Sequence, residues 1–159
     1  MIGANGGVGS FAVQLAANAG ATVIAPALPE DEDYLRDLGV SELLERDAEI
    51  AALVRERHPD GIDALLDLVS YTPDGFDAYA ALKSGGRGAS LNGAAGDGAG
   101  RTNVMAVRIP ENLERLGQLL DTSTLRVPIQ STYGLDQAGE AIRAFGTAHT
   151  QGELGIQVT

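Results

Sequence analysis

Apolar residues recur in this chain with two alternating periods, and that alternation constrains the fold more than any other feature. Short apolar or β-branched runs read as strands at 22–25, 62–67, 88–91 and 103–107 (Asn103 to Val107). Between and after them lie longer stretches with i, i+3, i+4 spacing, which read as helices. In the first, Phe11, Gln14, Leu15 and Asn18 share one face, and Val8, Ala12 and Ala16 another. Ile50, Leu53 and Val54 mark a helix over 47–57. The stretch 73–82 opens on Pro73, which suits a first helical turn. Leu113, Leu116, Leu119 and Leu120 mark 110–120, and Ala138, Ala141, Ile142 and Phe145 mark 135–145. Strands alternating with helices imply βαβ units, hence an α/β fold with a mostly parallel, doubly wound sheet and helices on both faces.

A glycine turn opens this pattern. Only Met1 and Ile2 precede Gly3-Ala4-Asn5-Gly6-Gly7-Val8-Gly9, where a βαβ unit has a full strand of about five residues. The first strand therefore reads as truncated, either because the chain is an excised piece or because its start is set too late. Gly6, Gly7 and Gly9 stand between that stub and a helix, the place of a dinucleotide fingerprint in a Rossmann-type fold. One glycine there lets backbone approach a pyrophosphate, and another lets the helix press on the strand. The helix's free N–H groups and positive dipole end then hold the anion. Ala4 stands where the usual G-x-G-x-x-G pattern begins. An acidic residue for a ribose hydroxyl is expected about 20 residues on, at the end of the second strand. That end is Ala27 or Leu28, followed by Pro29 and then Glu30, Asp31, Glu32 and Asp33. The four carboxylates read as a solvated first turn of a helix, where negative charge is favoured. Arg36 is the nearest cation.

The chain's 159 residues suit one domain. With 22 acidic against 11 basic side chains, a formal charge of −11 argues against nucleic-acid and anionic-membrane partners. Zero Cys excludes disulfides, thiolate zinc sites and Cys nucleophiles, and suits the cytoplasm. No metal is expected. His58 precedes a Pro-Asp-Gly turn and reads as a solvated helix-end residue, and His149 has no carboxylate or second His near it in sequence. The low-complexity stretch 92–100, NGAAGDGAG, follows a strand and reads as a surface loop or as a mobile cleft wall.

The stretch GANGGVGSFAVQLAANAGATVIA resembles the nucleotide-binding turn, first helix and second strand of the medium-chain dehydrogenase/reductase superfamily. It is most similar to the zinc-independent quinone oxidoreductase branch, whose A-x-G-G-V-G turn accommodates Ala4. The Asp-Leu-Gly-Val turn at 37–40, Gly61-Ile62-Asp63 leading to Asp67, and Leu82-Lys83-Ser84-Gly85-Gly86-Arg87 follow in family order. So do Leu125-Arg126-Val127-Pro128-Ile129, Gln137 to Ala141, and His149-Thr150-Gln151-Gly152. The resemblance implies NAD(P)-dependent hydride transfer to a quinone, an enone or another carbonyl. It implies a cofactor over Asn5, Gly6, Gly7, Val8 and Gly9, with the adenosine ribose near Ala27, Leu28 and Pro29. Val69, Ser70 and Tyr71 would line the adenine side, and Asn92 and Gly93 would lie toward the nicotinamide. The same resemblance divides the chain into a nucleotide-binding unit, 1–109, and a segment, 110–159, that in the family rejoins an N-terminal GroES-like catalytic domain. That domain is not among these residues, so 110–159 is expected to pack elsewhere or dangle. The family's NADPH-selecting Lys after the second strand is missing, and its C-terminal Gly-Lys is Gly152-Glu153 here. A weak preference for NADPH over NADH follows, as does a homodimer through the edge strand Asn103 to Val107.

Other readings stay open: a non-catalytic nucleotide-binding fragment, a methyltransferase-like domain, or a short-chain dehydrogenase. The last draws on Gly3-x-x-x-Gly7-x-Gly9 and on Tyr79-Ala80-Ala81-Leu82-Lys83, but Lys83 meets Ser84-Gly85-Gly86 and reads instead as a charge capping a helix end.

Overall fold

A computed structural model describes residues 1–72, 77–147 and 149–158. Helix α1 (Gly7–Asn18) leads to strand β1 (Ile24–Ala27), a 3-10 turn at Pro29–Asp31, α2 (Glu32–Leu38), β2 (Glu42–Glu45), α3 (Ile50–Arg57) and β3 (Ile62–Asp67). A 3-10 turn at Asp77–Ala81 then precedes β4 (Leu82–Ser90), β5 (Arg101–Asn103) and α4 (Pro110–Asp121). The chain ends in β6 (Ile129–Gly134), a 3-10 turn at Leu135–Gln137, α5 (Ala138–Thr147) and β7 (Glu153–Gln157).

Strand pairing is parallel in β1–β2, in β3–β4–β5 and in β6–β7. The stub of the first strand joins the first two sets. Ile2 forms a parallel bridge to Asp67, its N–H donates to Leu66 O at 2.8 Å, and Leu68 N–H donates back at 3.2 Å. The Met1 amine donates to Ile24 O at 2.5 Å. These contacts set the order β2–β1–Ile2–β3–β4–β5, with Met1 and Ile2 in the central place of a doubly wound sheet. Side chains leave its two faces for separate cores, as the 2-residue period requires. Ala25, Ala27 and Val23 meet Val13 of α1 and Leu35 and Leu38 of α2 on one face. Leu44, Leu65 and Ile2 meet Ile50 and Val54 of α3, with Tyr79 and Ala81, on the other.

The α/β class stands as expected, but several elements differ from the sequence reading. The second strand starts two residues later than the apolar run 22–25 and ends, as read, at Ala27; its pairing with β2 opens where Val23 O accepts Ser41 and Glu42 N–H. The helix read over 47–57 starts at Ile50. Of the helix read over 73–82, residues 73–76 lie outside the described residues, 77–81 form the 3-10 turn, and Leu82 already belongs to β4. Lys83 therefore caps no helix: it lies in β4 and forms an ion pair with Asp63. The glycines of Lys83-Ser84-Gly85-Gly86 accommodate a register shift between Ile62 and Ala64, with Gly85 at φ +77°. The strand read over Asn103 to Val107 is Arg101–Asn103 instead, and Val104, Met105 and Val107 continue outside it, Met105 at 81% exposure. The helix read over 135–145 is the 3-10 turn Leu135–Gln137 followed by α5.

Residues 124–126, after α4, lie against α1 and α2. Gln14 Nε2 donates to Arg126 O at 3.1 Å while Arg126 N–H donates to Gln14 Oε1 at 2.9 Å. Asn18 donates to Thr124 O at 2.7 Å, and Arg126 pairs with Asp37. Leu113, Ile142 and Phe145 stay exposed.

Candidate functional site

The glycine turn is built by three different requirements. Gly3 adopts φ +77°, a left-handed conformation, with Val69 and Leu68 beside it. Gly9 is buried where α1 crosses the turn: a Cβ there would lie on Gly3 O and 2.8 Å from both C and Cα of Ala4. It is the glycine that lets helix and turn touch. Gly6 is the N-cap of α1, with φ −79° and ψ 179°, and has no side-chain cap. A Cβ on Gly6 would meet only Gly3 O, at 3.7 Å, an ordinary contact. The first helical bond is Ser10 N–H to Gly6 O at 2.8 Å, so the N–H groups of Gly7, Val8 and Gly9 have no acceptor inside the helix. These groups and the dipole end make the turn attractive to an anion.

The other expected residues gather at the same edge of the sheet, beyond the carboxyl ends of β1, β3 and β4. Ala27 is buried at the end of β1, with Leu28 and Pro29 leading into the 3-10 turn. Asp67 ends β3 fully buried, and its Oδ1 accepts the N–H groups of Val69 and Ser70, each at 3.0 Å. This turns the chain so that Val69 and Tyr71 are exposed at the edge. Asn92 donates from its side chain to Leu68 O at 3.1 Å, tying the loop after β4 to the loop after β3, and Gly93 beside it takes φ +89° in open space. The glycine-rich loop is pinned rather than free at its start. Ser90 Oγ accepts Asn92 and Ala94 N–H, both at 3.2 Å, and Asn103 Oδ1 accepts Ala95 N–H at 3.0 Å. A groove of about 1000 Å³ lies elsewhere, between β1 and β3, lined by Met1, Ile24, Ile62 and Leu65 among others.

Two sequence expectations fail here, those for the acidic run and for His58. The carboxylates at 30–33 are not all solvated: Glu30, Glu32 and Asp33 are exposed, but Asp31 is 1% exposed. His149, with no carboxylate near it in sequence, meets one in space: its Nε2 lies 2.7 Å from Asp31 Oδ1, 118 residues away. Gln151 Nε2 donates to the same oxygen at 2.9 Å, and Asn5 Nδ2 to Asp31 Oδ2 at 3.2 Å. Asp31 thus links the glycine turn to the C-terminal arm, its buried charge offset by side-chain partners. Gly152 continues the link, donating to Asn5 O at 2.8 Å in a parallel bridge with Gly6. No spacing signal joins positions 31 and 149, so this cluster was illegible in the sequence. His58, expected to be solvated, is half-buried with its Nε2 2.9 Å from Glu42. Among the described residues, no group of His, Asp and Glu has a metal-binding arrangement, and no helix is long and apolar enough to cross a membrane.

Residues 7–112 match the family profile described as zinc-binding dehydrogenase. No curated protein matches the chain. Among solved structures, the quinone oxidoreductase from Coxiella burnetii is 27% identical with a TM-score of 0.81, over 99% of this chain and 51% of that one. A putative alcohol dehydrogenase from Sinorhizobium meliloti 1021 is 25% identical with a TM-score of 0.82, over 98% of this chain and 46% of that one. An NAD-dependent alcohol dehydrogenase shares the fold, with 22% identity, a TM-score of 0.83, and coverage of 99% of this chain and 50% of that one. The chain spans about half the length of these proteins.

Proposed function

Because the chain belongs to the zinc-binding dehydrogenase family, of the medium-chain dehydrogenase/reductase superfamily, we propose that it binds a nicotinamide dinucleotide across the carboxyl ends of β1, β3 and β4. One observation carries the reading: α1 begins at an uncapped Gly6, with three N–H groups unused by the helix and room beside its Cα. Asn5 to Gly9 would take the pyrophosphate; Ala27, Leu28 and Pro29 would take the adenosine ribose. Val69, Ser70 and Tyr71 would flank the adenine, and Asn92 and Gly93 the nicotinamide. In this reading residues 1–109 are the nucleotide-binding unit and 110–159 a segment that meets a catalytic domain. The cofactor would supply the hydride for a quinone, an enone or another carbonyl, without metal and in the cytoplasm, while the chain supplies position and electrostatics.

Cofactor choice rests on small terms. Ala27 offers no carboxylate against a 2′-phosphate, which favours NADPH. Glu30, Glu32 and Asp33 are exposed nearby, with Arg36 as the closest cation in sequence, which disfavours it. Charges about 8 Å off are largely screened at physiological salt, so the local ribose site prevails and NADPH leads by at most about tenfold, ~1.4 kcal/mol.

The test is calorimetric titration with NADPH, NADH and S-adenosylmethionine, on the native chain and on Gly6→Val. A Cβ on Gly6 meets only an ordinary contact, so the valine is expected to keep the native melting curve, and where circular dichroism shows that, a lost dinucleotide signal reports on the ligand. The expected result is binding of both dinucleotides, none of S-adenosylmethionine, and loss of binding in Gly6→Val. Dinucleotide binding that survives Gly6→Val puts the pyrophosphate elsewhere. Binding of S-adenosylmethionine alone would favour a methyltransferase-like domain.

For partners, we propose self-association through the segment after β5. That strand pairs with β4 on one side, and Val104, Met105 and Val107 follow it exposed. Such an edge is a liability unless covered. Light scattering is expected to give a dimer mass at high concentration; a monomer mass at every concentration removes the idea.

A further inference from the structure

We infer that Glu153 is a negative determinant of phosphate binding at the glycine turn: its carboxylate occupies the place over Gly7 that a ligand's pyrophosphate would need. The inference rests on the proposed dinucleotide site and assigns a residue that competes for it.

The position of Glu153 is fixed by backbone. Its N–H donates to Pro128 O at 2.8 Å as β7 begins, and the preceding Gly152 N–H donates to Asn5 O at 2.8 Å. Gly152 holds φ +70° against Pro128 and the Tyr34 hydroxyl, a conformation that a side chain would strain. Further back, Gln151 N–H donates to Gln130 Oε1 at 3.0 Å, while its amide donates to Glu30 O and Asp31 Oδ1, each at 2.9 Å. His149 reaches the same Asp31 oxygen at 2.7 Å. This arm crosses the turn and delivers the Glu153 side chain to α1. A Cβ built on Gly7 would touch Glu153 Oε1 and lie 2.8 Å from Cδ and 3.1 Å from Oε2. The whole carboxylate therefore stands over the first residue of the helix.

An anion at a helix N-terminus is stabilised by about 0.3–1 kcal/mol. The Glu153 carboxylate stands beside the first residue of that helix, where such an anion would come. A dinucleotide must displace the carboxylate or accept it as a like-charged neighbour, and either course weakens phosphate binding. The effect is confined to ligands whose phosphates sit on α1, because the carboxylate stands against Gly7 at its start.

ADP-ribose and adenosine separate the two contributions. Each is titrated calorimetrically into the native chain, Glu153→Gln, Glu153→Lys and Gly6→Val. Removing the charge is expected to tighten ADP-ribose about fivefold, with a larger gain for the lysine, and to leave adenosine unchanged. The gain shrinks as salt rises from 0.05 to 0.5 M, about a threefold shortening of the screening length. Equal ADP-ribose affinity in the native chain and both Glu153 variants, with binding still abolished by Gly6→Val, overturns the role of Glu153 while keeping the site. An adenosine gain as large as that of ADP-ribose also overturns it, because the change is then structural. No ADP-ribose binding by the native chain or either Glu153 variant, or binding indifferent to Gly6→Val, overturns the site itself and the inference with it.

Discussion

Gly9→Val is expected to abolish cooperative folding, although it lies three residues from a glycine that accepts the same change. The obstacles at Gly9 are main-chain atoms: Gly3 O, and the C and Cα of Ala4 at 2.8 Å. Backbone in a hydrogen-bonded turn cannot swing aside as a flexible side chain can, so α1 must lift off the sheet or the turn must open. Lifting α1 exposes Val13 and Ala4, which share one core with Val23, Ala25, Leu35 and Leu38. Overpacking a yielding core costs about 1–3 kcal/mol. A rigid clash that also opens one of two cores is placed above that range, at about 4 kcal/mol or more, against a total stability of about 5–15 kcal/mol for an ordinary domain. Circular dichroism on heating checks it: Gly9→Val shows no sharp transition, whereas Gly6→Val melts like the native chain. A Gly9→Val midpoint within about 3 °C of native, roughly 1 kcal/mol for a chain of this size, would show that the helix–turn contact is not the constraint.

The two glycines also show what the sequence made legible. Their place between a strand stub and a helix, and the alternation behind them, were enough to expect a parallel α/β sheet and to put the candidate residues at its carboxyl edge. The pattern did not say which glycine serves packing and which leaves room for a ligand, because that depends on what stands opposite each Cα. Three strands escaped notice for a related reason. Glu42–Glu45 carries two charges in four residues, Ile129–Gly134 is largely polar, and Glu153–Gln157 lies on the exposed side of the fold. Each is defined by parallel pairing to a distant partner and not by a buried alternation of its own. The converse error occurred after Asn103: Val104 N–H still donates to Ser90 O of β4, but apolar Met105 and Val107 imitate a strand and lie beyond the last pairing. Asp31 is the sharpest case. As one of four consecutive acidic residues it looks solvated, and only the return of His149 and Gln151 from the far end of the chain buries it.

In the 159-residue chain with a free amine at Met1, stability is expected to rise by about 2 kcal/mol between pH 6 and pH 8, from that one group at the centre of the sheet. Burial lowers the Met1 amine from its ordinary 8.0 to about 6, with nearby Asp67 partly opposing the shift. Between those two values the unfolded chain holds a proton there that the folded chain has released. The unfolded state therefore binds more protons, and stability increases with pH across the window. Below about pH 6 both states are charged and the folded state bears the full burial penalty; above about pH 8 both are neutral and the penalty is gone. A shift of two units, at 1.36 kcal/mol each, sets an upper figure of about 2.7 kcal/mol. Urea midpoints at the two pH values measure the change, and a control removes the amine alone. Extending the chain by a few β-branched residues before Met1 does so, turning the amine into an amide. The groove between β1 and β3, lined by Ile24, Ile62 and Leu65, has room for them, and Ile2 already sets a parallel register against β3. The extended chain is expected to be more stable at pH 6 and to lose the rise attributed to the amine. If it keeps the native pH dependence, the buried amine is not its source.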